Sequence, residues 1–146
     1  MGQAARAIII ENNNLLIMHR NKQGSQYFTL VGGQAKPGEE LDQTVRREVK
    51  EETGLDVTSA RLVYVEKHPA PYNEQYIYLC EVAPHADVKI QEFSEEAMLN
   101  RLDVNIHTPG WAHKDSFATL AFRTPQLQEA ILKALKKGFP GRPVQL

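Results

Sequence analysis

Residues Gly33 to Leu55 read GQAKPGEELDQTVRREVKEETGL, and the spacing inside this stretch decides how the rest of the chain is arranged. The helix expected here begins just after Pro37-Gly38, with Glu39 and Glu40 at the positive end of the backbone dipole. It stops at Gly54, a residue free to form a left-handed cap. At about 100° per residue, Leu41, Val45 and Val49 share one stripe that predicts a face against a core, while Gln43, Arg46 and Lys50 project toward water. Glu48 and Glu52 continue the apolar line, with Glu51 beside them. Like charges three and four residues apart each cost a few tenths of a kcal/mol, and two of these acids sit at the negative end of the dipole. Positive charge is therefore required there. Either Arg46, Arg47 and Lys50 lace a solvated acidic face, or the acids gather for a hard divalent cation such as Mg2+, which takes oxygen ligands and keeps open positions for phosphate.

The stretch resembles the Nudix box, G-x5-E-x7-R-E-U-x-E-E-x-G-U with U a bulky aliphatic, and Gly33, Glu39, Arg47, Glu48, Val49, Glu51, Glu52, Gly54 and Leu55 meet its fixed positions. The resemblance implies a Mg2+- or Mn2+-dependent hydrolase that splits a diphosphate linkage in a nucleoside diphosphate joined to another group. It implies metal ligation by Glu48, Glu51 and Glu52, often with the Gly33 carbonyl, an orienting role for Arg47, and a place for Glu39 near the metal. Glu52 is the general base chosen, with the loop acids Glu92, Glu95 and Glu96 as alternatives. The family commonly has Leu-Pro-Gly-Gly and an acid two residues before the Gly-Glu pair. This chain has Leu30-Val31-Gly32-Gly33 and Lys36, so Gly32 and Lys36 are expected to support the site rather than ligate. Arg20, at a strand end, matches the usual position of a phosphate-contacting arginine. The fold implied is α+β, a Nudix-type α/β/α sandwich with a mixed sheet between helices. A non-catalytic nucleotide- or partner-binding module is the competing class; the intact Arg47, Glu48, Glu51 and Glu52 count against it.

The rest of the chain is consistent with one domain over residues 1–146: 42% hydrophobic and 24% charged residues, with a formal net charge of -1. That balance argues against duplex nucleic acid as a partner and for a small nucleotide-type substrate; a homodimer is compatible with it. No signal pattern or membrane-length apolar run is present, which places the chain in the cytoplasm as an expectation. Cys80 is the only cysteine and reads as a packed thiol. Gly33-x4-Gly38 fails as a P-loop because Glu39 follows where Lys is needed, and the five histidines lack metal-ligand spacing.

Ala4 to Ile10 and Leu15 to Arg20 are expected to pair as a hairpin across Glu11 to Asn14. Asn21 to Gln26 reads as a loop, Tyr27 to Val31 as a strand, and Val57 to Glu66 and Gln75 to Val82 as longer strands. Pro84 to Gly110 is irregular, with a short helix near Ser94 to Leu99 and Pro109-Gly110 closing a loop, and is expected to be a substrate-facing lid or an inert insertion. Trp111 to Phe117 resembles a late strand and short helix, and Thr124-Pro125 opens a final helix running to Lys137, before a tail from Pro140. Tyr27, Phe28, Tyr72, Tyr76 and Trp111 are candidates to stack on a base, with core packing as the other reading for each.

Overall fold

The computed structural model describes residues 2–68, 74–88, 100 and 105–146. Ala4 to Ile10 is an unbroken run of small and aliphatic side chains apart from Arg6, yet it does not form one strand. Its first part, β1 (Gln3–Ile8), lies in one sheet; its last residues form β2 (Ile10–Glu11), in a second. Asn12 and Asn13 take positive φ of 52° and 64°, closing a tight hairpin from β2 into β3 (Asn14–Lys22). Only this distal half pairs as the sequence suggests. The polar stretch 21–26 is also a hairpin rather than a loop: β3 runs on to Lys22, Gln23 and Gly24 turn at positive φ, and β4 (Ser25–Thr29) returns. Leu30 separates β4 from β5 (Val31–Gln34), so residues 27–31 also divide between the two sheets.

β5 delivers the chain to α1 (Leu41–Thr53), which starts later than the charge pattern suggests. Glu40 caps it, its amide accepted by the Gln43 side chain at 3.0 Å, and Glu39 stays outside the helix. The far end stops as expected, at Gly54 with φ 81°. In the first sheet β1 is antiparallel to β5 and parallel to β7 (Glu74–Val82). β6 (Val57–Glu66) follows antiparallel to β7, with β9 (Val144–Gln145) parallel to it at the edge, so the tail from Pro140 is partly strand. In the second, β8 (Asn105–His113) pairs antiparallel along all nine residues of β3. Pro109 and Gly110 therefore lie inside a strand and close no loop. Among the described residues β8 pairs with β3 alone, and an edge strand is where proline, which has no N–H to donate, is tolerated. The expected helix at Ser94 to Leu99 lies outside the described residues.

Alternation along β1 sets the layers. Ala5 and Ala7, with Ile9 just beyond, pack with Val45 and Val49 of α1, while Ile8 packs with Leu127 and Ile131 of the C-terminal helix. That helix, α3 (Pro125–Lys137), is capped by Thr124 and follows the short α2 (Lys114–Phe117). The mixed sheet thus sits between α1 and α3, the three-layer arrangement expected. Val45 and Val49 are completely buried, each worth about 1.5–3 kcal/mol of apolar burial, and this anchors the helix that carries the acids. No helix among the described residues is long and apolar enough to cross a membrane.

Candidate active site

Burying Val45 and Val49 on one stripe carries Glu48 and Glu52 inward with them: they are only 7% and 3% exposed. Among the described residues, the ion-paired charge at Glu48 and Glu51 comes from one residue. Arg46 pairs with Asp42 and donates to the Val57 carbonyl, and Lys50 pairs with Asp56, so neither serves the acids. Arg47 does. Its Nη1 donates to Glu48 Oε1 at 2.8 Å and to Glu51 Oε2 at 3.3 Å. Its Nε and Nη2 grip both oxygens of Glu39 at 2.8 and 3.1 Å, and Nη2 also reaches the Gln34 carbonyl. Glu39 is thereby a loop anchor: Oε1 also accepts from the Lys36 amide at 3.0 Å and the Thr44 hydroxyl at 2.8 Å. The two-point bond from Arg47, helped by the Lys36 amide and Thr44, holds the Glu39 carboxyl down at about 2, and the Arg47 guanidinium is raised in turn, chiefly by Glu39.

β5 presses two glycines against these acids. The Gly32 amide donates to Glu52 Oε1 at 2.6 Å. Gly32 has φ 146°, and a Cβ there would lie 2.2 Å from the Ala5 carbonyl oxygen, so close pairing with β1 admits no side chain. A Cβ on Gly33 would fall 2.7 Å from Glu48 Cδ and 2.8 Å from both carboxylate oxygens. The strand backbone therefore forms a cradle for the Glu48 carboxylate that any larger residue would fill. Arg47 draws Glu48 and Glu51 to itself, and among the described residues no three metal-ligating side chains already converge on one point.

Beyond Gly32 the charge reverses. Arg6 donates through Nη1 to the Leu30 and Gly32 carbonyls at 3.2 and 3.3 Å, and through Nε to Gln75 at 3.0 Å. Burial pulls its pKa down and Arg20 adds to this, against the opposing pull of Glu52 and Glu48. Arg6 lines a cleft of about 510 Å³ together with Arg20, Tyr27, Glu66, Gln75 and Arg123. The Arg123 guanidinium carbon lies 3.7 Å from the Tyr27 ring centroid and that of Arg20 5.6 Å. Glu66, 5% exposed, accepts from the Thr124 hydroxyl, which also caps α3.

The structure thus brings Gly32, Gly33, Glu39, Arg47, Glu48, Glu51 and Glu52 together, and sets Arg20 in the adjoining cleft. Lys36 is exposed and contributes its backbone amide to Glu39. Glu92, Glu95, Glu96 and Tyr72 lie outside the described residues. Phe28 stacks on His19 and Trp111 on His85, leaving Tyr27 as the aromatic at the cleft wall. Cys80 is buried and its thiol is pushed up to about 12, which fits packing rather than chemistry. Arg6 and Arg123 were not legible as site residues, although Arg6 carries a signal: it is the one charge inside an otherwise apolar strand run.

Comparison with known proteins accords with this geometry. The NAD-capped RNA hydrolase NudC of Vibrio atlanticus (strain LGP32) is 37% identical over 78 residues, covering 53% of this chain and 28% of that protein. The mitochondrial NAD(P)H pyrophosphatase NUDT13 of Homo sapiens is 27% identical over 119 residues, covering 82% of this chain and 31% of that protein. The chain therefore spans less than a third of the length of these two relatives. The solution structure of the E. coli ORF135 protein superposes with a TM-score of 0.69 at 19% identity, over 97% of this chain and 95% of that one, a likeness of fold. The NUDIX domain model matches residues 1–121, taking in β1 to β8 and the whole of the acidic helix, and by that match the chain belongs to the Nudix family.

Proposed function

We propose that the chain hydrolyses a diphosphate linkage in a nucleoside diphosphate joined to another moiety, using Mg2+ or Mn2+. The observation that carries this reading is the pair of buried carboxylates, Glu48 and Glu52, packed on the backbone of Gly32 and Gly33, with Glu51 on the Arg47 guanidinium that also holds Glu48. The donor set fits a hard cation: every candidate ligand is an oxygen, and three carboxylates, Glu39, Glu48 and Glu51, share the single charge of Arg47 while Glu52 lies beside them on the Gly32 amide. Glu48, Glu51, Glu52 and the Gly33 carbonyl would hold the ion. When bound, a divalent cation neutralises the diphosphate and lowers the pKa of an attacking water. The protein's own groups supply the rest. Arg47 keeps the acids oriented through its tie to Glu39, and Glu52, fixed by the Gly32 amide, takes the proton from water as general base. The relatives named above carry names that refer to NAD-type compounds, in which a diphosphate joins two nucleosides. Such dinucleotides fall inside the proposed class, beside nucleoside triphosphates, ADP-ribose and nucleotide sugars.

Glu52→Gln tests the reading cleanly, because the amide oxygen can still accept from Gly32. In chelator the variant should melt within about 3 °C of the parent, while turnover with Mg2+ on the best of a panel of these compounds falls about 10²-fold, as loss of a general base commonly causes. Near-parental turnover by the variant, or undiminished turnover by the parent after exhaustive chelation, would rule the mechanism out.

A further inference from the structure

Arg6, Arg20 and Arg123 line one cleft, and among the described residues none of them is in an ion pair. Arg47, by contrast, satisfies three carboxylates. Arg6 spends its donors on neutral oxygens, those of Leu30, Gly32 and Gln75. Arg20 Nε is buried and has no hydrogen-bond partner among the described residues. The acid in the lining, Glu66, accepts from the Thr124 hydroxyl and, among the described residues, forms no ion pair with the arginines. Three guanidinium groups thus face one lining carboxylate with which none of them forms an ion pair, an excess of positive charge that is unfavourable for the empty protein and becomes favourable when an anion enters. Base stacking does not explain the arrangement, since Arg123 already lies on the Tyr27 ring at 3.7 Å. A guanidinium fork matches the paired oxygens of phosphate.

We propose that this cleft binds a phosphate monoester that the substrate carries outside the linkage being cut, so that the enzyme prefers diphosphate compounds bearing one further phosphate. The substrate clause rests on the hydrolase reading above; the anion-binding clause does not. Without divalent cation the acids of α1 repel phosphate, so binding measured in chelator reports the arginine cleft alone. Titration calorimetry in EDTA should show AMP binding at least about tenfold more tightly than adenosine, an advantage lost in Arg20→Gln/Arg123→Gln, since one charge-assisted hydrogen bond is worth about a factor of ten. Arg123→Gln alone, at an exposed side chain without hydrogen bonds, should lose part of it and remain folded. With Mg2+, a diphosphate-bridged dinucleotide bearing a 2′- or 3′-phosphate should exceed its unphosphorylated partner in kcat/KM by at least about tenfold, and the double variant should bring that ratio toward one. Equal binding of AMP and adenosine, or an advantage unchanged in a folded Arg123→Gln, would overturn the cleft assignment. AMP binding that depends on the arginines beside a kcat/KM ratio near one would overturn the substrate clause. Arginine-dependent binding with no turnover of either dinucleotide would count against the hydrolase reading and uphold the cleft.

Discussion

Replacing Arg47 by lysine keeps one positive charge at the acid cluster and removes the fork that reaches three carboxylates at once. The two-point bond to Glu39 is a charge-assisted pair worth about 2–3 kcal/mol, and the contacts to Glu48 and Glu51 add about 1 kcal/mol together, because like-charge relief between those acids is partial. An ammonium recovers one contact, about 0.5–1 kcal/mol, so the net loss in metal-free protein is about 2–3 kcal/mol. For a chain of this size that lowers Tm by roughly 4–12 °C. Adding Mg2+ should return part of the loss, since the cation compensates Glu48 and Glu51; it cannot replace the bond to Glu39. Thermal melts of parent and variant in EDTA and in saturating Mg2+ measure both quantities. A drop below about 2 °C in EDTA, or a deficit that Mg2+ leaves unchanged, would refute the idea that one guanidinium stands in for the metal.

The two glycines should separate stability from function. Gly32→Ala places a Cβ 2.2 Å from the Ala5 carbonyl at a φ of 146° and should cost about 3 kcal/mol or more in urea unfolding; Gly33→Ala meets only the movable end of Glu48 and should cost about 1 kcal/mol or less, yet raise the Mg2+ concentration needed for half-maximal turnover. Equal stability losses would show the contact with Ala5 to be relievable. Glu39 sets an acid limit. Arg47 depresses its carboxyl from 4.5 to about 2, so its contribution is fully present above about pH 4.5 and disappears as the pH falls through about 2. Allowing for solvent screening, Glu39→Gln should cost about 1–2 kcal/mol at pH 6, with the gap to the parent closing between pH 4.5 and 2 in urea midpoints. A gap constant over that window would mean the carboxyl is not held by Arg47.

What was legible in the sequence was what local chemistry encodes. Gly54 and Thr124-Pro125 set helix ends within a few residues, and the Val45, Val49, Glu48, Glu52 stripe placed two acids on a buried face. The strands misread are one local hairpin and two segments whose fate depends on distant partners. Asn21 to Gln26 is polar because it forms the exposed end of a hairpin, and polarity alone does not separate that from a loop. Pro109-Gly110 looks like a turn until it is seen to pair with Met18 and Ile17 of β3. Ala4 to Ile10 looks continuous because both sheets demand apolar residues there, and only the pairing of β1 with β5 and β7 reveals the transfer between sheets at Ile9. Arg6 and Arg123, far apart in sequence, line one cleft, a juxtaposition no spacing rule contains.

Gly32 has one further consequence. Its amide proton goes to Glu52 at 2.6 Å and its carbonyl receives Arg6 at 3.3 Å, so one residue without a side chain is hydrogen-bonded to the acid site and to the arginine cleft. Its backbone resonances and amide exchange rate are therefore a native spectroscopic probe: an event at Glu52 is felt through the N–H, an event at Arg6 through the C=O, and neither needs a label that would disturb the fold.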